Sequence, residues 1–181
     1  IGDPSKTPLP VEFATFIAME ALRGLDYAHR RGFVHRDIKP ANLLFGDEQR
    51  LRIADFGLAR ALAEAAWTEP QGAMLGTARY ASPEQAKGEQ VDSRSDLYSV
   101  GAMLFELLTG ELPYDVEDRG AMALLKAVLF ERRRRLSELR PELDGPLDEV
   151  LHGALDADPA KRPQTVQQFA AQLRAALASM A

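Results

Sequence analysis

The stretch "HRDIKPANLLF", from His35 to Phe45, sets a carboxylate at Asp37, an ammonium at Lys39 and a carboxamide at Asn42 just ahead of an apolar run. A plain core has no use for such groups, because burying them unpaired is costly. Side chains of these types handle protons and charge. Two further motifs follow downstream. "DFG" occupies Asp55–Gly57, and "GTARYASPE" runs from Gly76 to Glu84. Alone, "DFG" is a weak signal that chance supplies often; the three together, in this order, are much more specific.

The elements that must position these residues are read from periodicity and punctuation. The first ten residues, "IGDPSKTPLP", carry three prolines and read as an extended lead-in. Val11 to Arg31 has a helical pattern, with Phe13, Ile17, Leu25 and Ala28 near one face and Gly32 able to end it. Leu43–Phe45 and Leu51–Ile53 are short strand candidates, and the turn-prone "GDEQ" between them suggests a hairpin. On this reading the hairpin carries Asn42 and Asp55 at its opposite ends. Residues 60–80 lack periodicity and read as a long loop, of the kind that is usually functional or disordered. Ser95–Thr109 is apolar almost all round, which predicts a central buried helix stopped by Gly110. Two more helices are expected, at about Pro146–Ala157 and at Val166–Ala178. The second has Thr165 and Gln168 in capping-box spacing.

Bulk properties narrow the class. A chain of 181 residues can bury a substantial core, and its 46% hydrophobic and 27% charged residues are ordinary for a globular domain. The net charge of −5 lacks the basic excess of a nucleic-acid binder. The absence of cysteine excludes disulfides, thiolate zinc sites and cysteine nucleophiles, and is compatible with a reducing cytoplasm. No apolar run reaches membrane-spanning length and no signal-peptide pattern opens the chain, so a cytoplasmic protein is expected.

In combination the motifs resemble those of the eukaryotic-like (Hanks-type) protein kinases, most closely the bacterial serine/threonine branch, and the resemblance covers essentially the whole chain. It implies an α+β, mainly α-helical fold: the large C-terminal lobe of a kinase, with a small β-hairpin at the catalytic loop. It further implies ATP and Mg2+ as cofactors and a protein serine or threonine as acceptor. Phosphoryl transfer asks mainly for positioning and charge stabilisation. By this resemblance Asp37 orients the hydroxyl and accepts its proton, and Lys39 offsets charge on the transferring group. Asn42 and Asp55 hold magnesium, and Leu44 floors the adenine. Lys39 in "DxKxxN" and Thr77 in "GT", bridging Asp37 and Lys39, point to serine/threonine acceptors. Glu84 is expected to pair with Arg162, Asp96 to hold the catalytic-loop backbone, and His35 and Phe56 to stack. Arg36 precedes the aspartate as in kinases switched by loop phosphorylation, with Thr68 the best phosphosite.

The resemblance also implies a smaller, mostly β lobe ahead of this region, with a glycine-rich loop, a phosphate-binding lysine and a partner glutamate. None of the three is present here, so residues 1–181 are expected to be the C-terminal lobe alone and catalytically silent in isolation. Two other classes stay open: a non-catalytic kinase-like interaction module, and a small-molecule phosphotransferase, which would lack the "GTxxYxSPE" anchor. Bland readings are preferred for four features. His35 reads as a core histidine, and His29 and His152 as structural or exposed. The run Arg132–Arg135 reads as a solvated helix end or loop.

Overall fold

The computed structural model describes residues 7–46, 51–55, 76, 78–116 and 120–180. Helix α1 spans Val11–His29, and β1 (Leu43–Phe45) and β2 (Leu51–Ile53) form a two-stranded antiparallel sheet. After them come α2 (Pro83–Lys87), α3 (Ser93–Thr109), α4 (Ala121–Phe130), α5 (Leu136–Leu139), α6 (Pro146–Ala154) and α7 (Val166–Ala178). The architecture is mainly helical with a small hairpin, in line with what the motifs imply. Among the described residues no helix is long and apolar enough to cross a membrane.

Helix α3 is the axis of the core. Leu97, Val100, Met103, Leu104 and Leu108 are fully buried, and α1 packs along one side while α6 packs along another. Burial on all sides suits a sequence without a polar face, and each such side chain contributes roughly 1.5–3 kcal/mol on leaving water. Asp92 caps the start by accepting from Arg94 N at 2.9 Å. Gly110, with φ of 74°, ends the helix in the left-handed conformation that side chains resist.

Helix α1 buries Ala14, Ile17, Ala18, Ala21, Leu22, Leu25 and Ala28. Phe13 does not belong to that face: it is 47% exposed, because the buried stripe is built largely of small residues that let α1 and α3 approach closely. Gly24 serves the other neighbour. A Cβ at this position would lie 2.8 Å from Ile53 Cδ1, so glycine is what lets α1 lie against β2.

Periodicity misses α2, α4 and α5, and it places α6 three residues too long at its C-terminus. In α7 the expected cap is half formed. Thr165 Oγ1 accepts from Gln168 N at 3.1 Å, whereas Gln168 Oε1 turns to Gln164 N at 2.8 Å. The run Arg132–Arg135 follows α4, and its side chains bond within the protein. Arg132 forks onto Glu138, Arg133 donates to His152 O, Arg134 to Leu112 O, and Arg135 to Glu149.

Candidate active site

Residues 30–42 connect α1 to β1, and the buried carboxylate of Asp96, in the first turn of α3, holds His35 and Arg36 within them. Asp96 Oδ1 accepts from Arg36 N at 2.7 Å, and Oδ2 accepts from His35 N at 2.8 Å. His29, at the end of α1, adds Nε2 to the same Oδ2 at 2.7 Å. Local sequence carries no sign of this contact, because 67 residues separate the partners. Arg36 itself has φ of 68°, a left-handed conformation costly for a side-chain-bearing residue. Bonds from elsewhere must therefore hold it.

His35 is fully buried beneath the loop. Its Nε2 lies 2.9 Å from Ala54 O and its Nδ1 lies 3.2 Å from Asp37 N. A carbonyl can only accept and an amide N–H can only donate, so Nε2 carries the proton. The ring thereby ties Asp37 to the strand end that leads into Asp55, and it acts as a core histidine.

Above it the polar groups converge. Lys39 Nζ lies 2.8 Å from Asp37 Oδ2. Asn42 Nδ2 donates to Asp37 O at 2.8 Å and to Asp37 Oδ2 at 3.1 Å. Asn42 is 4% exposed and sits in a single 3-10 turn, Pro40–Asn42, that turns the chain into β1. The strand register pairs Leu43 with Ile53, and Ala54 N donates to Asn42 O at 2.8 Å. Antiparallel pairing therefore brings Asn42 and Asp55 to the same open end of the hairpin. The expectation of opposite ends is corrected: the turn lies at the far end, and the two residues are near neighbours across the ladder.

Asp55 is exposed and has φ of 63°, the second side-chain-bearing residue in the left-handed region. With Asn42 Nδ2 engaged by Asp37, Oδ1 is the amide atom suited to a cation, and Asp55 adds a carboxylate. Among the described residues no group of three or more acidic or histidine side chains could hold a metal alone. Two hard oxygen donors fit Mg2+, which keeps several waters and takes further ligands from phosphates. Leu44, on β1, is 55% exposed beside them. Thr68, Thr77 and Phe56 lie outside the described residues, so their expected contacts do too.

A second buried polar cluster anchors α2. Arg162 forks onto Glu84, with Nη1–Oε1 and Nη2–Oε2 both 2.7 Å, and Ser95 Oγ donates to the same carboxylate. The remaining guanidinium donors go to Asp156 O, Arg94 O and Ala157 O, so every N–H is used. Burial pushes the Glu84 carboxyl up, but hydrogen bonds from Arg162 and Ser95 outweigh it and hold the group below its ordinary range. Nearby, Arg79 and Tyr80 both bond Glu106 of α3, and burial together with that carboxylate pushes the Tyr80 phenol well up.

A carboxylate paired with lysine, a neighbouring asparagine and aspartate, and a buried Glu–Arg anchor on a helical lobe define a protein-kinase-like site. The comparisons agree. Residues 4–173 match the protein kinase domain family, and the chain belongs to that family. It is 40% identical over 168 residues to the serine/threonine-protein kinase PknJ of Mycobacterium tuberculosis, a match covering 91% of this chain and 28% of PknJ. It is 39% identical over 173 residues to PknB of Mycolicibacterium smegmatis, covering 94% of this chain and 26% of that protein. The chain thus spans about a quarter of the length of these curated relatives. The crystal structure of the PknI kinase domain from Mycobacterium tuberculosis superposes with a TM-score of 0.68 at 31% identity, over 94% of this chain and 56% of that one. Within that family these relatives are bacterial serine/threonine kinases of the Hanks type.

Proposed function

We propose that this site transfers the terminal phosphoryl group of ATP to a serine or threonine hydroxyl of a protein substrate. The observation that carries the reading is the convergence of Lys39 and Asn42 on Asp37, with Asp55 at the same end of the hairpin as Asn42. Asp37 orients the acceptor hydroxyl and takes its proton as the oxygen attacks. Lys39, held within 2.8 Å of Asp37, offsets charge on the transferring group. Asn42 and Asp55 present oxygen ligands, and bound Mg2+ supplies charge neutralisation across the phosphates. Leu44 offers an apolar floor to the adenine. Family membership favours protein acceptors, and the "DxKxxN" spacing supports serine or threonine over tyrosine. Thr77 would bridge Asp37 and Lys39, Phe56 would stack on His35, and Thr68 would take a regulatory phosphate.

Residues 1–181 read as the C-terminal lobe of such an enzyme; residues 1–6 of the expected lead-in lie outside the described residues. The test places two substitutions in the intact kinase with a complete nucleotide cleft. Asp37→Asn removes the proton acceptor and should lower kcat about 100- to 10,000-fold with ATP affinity near parental. Asp55→Asn removes an anionic metal ligand and should weaken Mg2+–ATP binding as well as turnover. Titrating Mg2+–ATP into each variant gives the comparison. Phosphate transfer by Asp37→Asn at the parental rate would overturn the assignment of the catalytic loop.

A further inference from the structure

The carboxamide of Gln85, in α2, faces two ways. Its Oε1 accepts from Ser82 N at 3.0 Å and from Ser82 Oγ at 3.1 Å, closing the capping box at the start of α2. Its Nε2 donates to Arg36 O at 2.7 Å, a bond across 49 residues of sequence. That carbonyl belongs to the peptide joining Arg36 to Asp37. The N–H of the same peptide goes to His35 Nδ1 at 3.2 Å. Both edges of one peptide plane are thus held by side chains, immediately ahead of Asp37. The residue before that plane, Arg36, has φ of 68° and cannot be kept there by its own preference.

We propose that Gln85 is a positioning residue for phosphoryl transfer: its carboxamide clasps the Arg36–Asp37 peptide from α2 and fixes the direction of the Asp37 carboxylate. This rests on the reading of Asp37 as proton acceptor. The chemistry demands a carboxamide, because one end must accept from the Ser82 amide while the other donates to the Arg36 carbonyl. A glutamate of the same shape keeps the cap and loses the donor, setting a carboxylate oxygen against a carbonyl oxygen. The clasp also couples α2 to the catalytic loop, so displacing α2 misaligns Asp37 without touching Asn42 or Asp55.

The experiment uses the intact kinase and four proteins: parental, Gln85→Glu, Ser82→Ala and Asp37→Asn. Misplacing a reacting group by about an ångström can cost on the order of 100-fold in rate. Gln85→Glu is therefore expected to lower kcat about ten- to hundredfold, with KM for ATP and melting temperature near parental. Ser82→Ala loses the cap but keeps the Nε2 bond, so it should lower the melting temperature while kcat stays within about threefold. A Gln85→Glu enzyme with kcat within about twofold of parental overturns the proposal. So does a loss of kcat that Ser82→Ala reproduces in full, since α2 stability alone then explains it. Should Gln85→Glu fail to fold, Gln85→Met is read the same way against Ser82→Ala. The Asp37→Asn arm separates the two levels: if that variant is fully active, the reading of the site fails, whereas if it is silent and Gln85→Glu stays within about twofold of parental, only the clasp fails.

Discussion

Along α1 and α3, position is set by apolar burial: Leu22, Leu25, Leu104 and Phe105 are packed out of water and held by many weak contacts. Along residues 35–55 the elements are too short to hold themselves. β1 and β2 are three residues each, and Arg36 and Asp55 sit at positive φ. There, individual bonds from Asp96, His35, Asn42 and Gln85 fix single peptides and carboxylates. The two regions should therefore fail differently. The body is sensitive to volume and forgiving of shape-conserving swaps, while the proposed catalytic edge is sensitive to exchanging a donor for an acceptor even when volume is kept.

The largest effect that tests this contrast is expected at the Glu84–Arg162 anchor. Arg162→Met keeps length and packing but leaves the Glu84 carboxylate buried with Ser95 as its remaining side-chain donor. Breaking a buried pair from one side typically costs about 3–5 kcal/mol. Leu104→Met, an equally mild change of shape in the body, should cost less than about 1.5 kcal/mol. Denaturant unfolding of both variants decides the matter, and equal costs would erase the distinction between the regions. The pair also carries a pH signature. The Glu84 carboxyl lies below its ordinary range in the folded protein, so its contribution is fully present above about pH 4.3, the ordinary glutamate value, and is lost as pH falls through the folded value. The gap between parental protein and Arg162→Met should accordingly narrow in acid.

A smaller effect, but one aimed at the catalytic edge itself, is expected from Asp96→Asn. The carboxylate receives Arg36 N, His35 N and His29 Nε2 on its two oxygens. An amide of the same shape has one oxygen and turns its NH2 toward donors that then lack a partner. Hydrogen bonds to a charged group are worth about 1.5–3 kcal/mol, and the destabilisation should fall in that range. Because the bonded peptides lead directly into Asp37, kcat should fall alongside stability. A variant that loses stability but keeps kcat would show that Asp96 supports the body and not the loop.

The same contrast explains which features are legible in the amino-acid sequence. The bounds of β1, β2 and α7, and the burial of α3, can be read because periodicity, a long apolar run and turn residues are local signals. Helix α4, "AMALLKAVLF", cannot, since a short run that is apolar nearly all round has no polar face to give it a period. At the site, residue types are legible as motifs, yet their arrangement is not. Asn42 and Asp55 share one end of the hairpin through antiparallel register, which one-dimensional spacing does not convey. The partner of His29, which reads as structural or exposed, and the role of Gln85 are not legible, because the partners lie 67 and 49 residues away. Phe13 misleads because a stripe of alanines hides the true buried face of α1 from a search for large residues.

The smallest effect belongs to the body's periphery. Thr165 caps α7 through one bond, Oγ1 to Gln168 N at 3.1 Å, while the Gln168 side chain serves Gln164 N instead of closing a reciprocal box. Thr165→Ala should therefore forfeit a single cap, about 1 kcal/mol. For a chain of this size that corresponds to a melting shift of roughly 2–4 °C. Helix α7 packs on α6 and α1, and its buried Phe169 and Leu173 keep it docked without the cap. Turnover of the intact kinase, measured well below the transition, should be unchanged. A melting shift accompanied by a matching loss of kcat would mean that α7 communicates with the catalytic edge, and the separation between a body held by burial and an edge held by bonds would not hold.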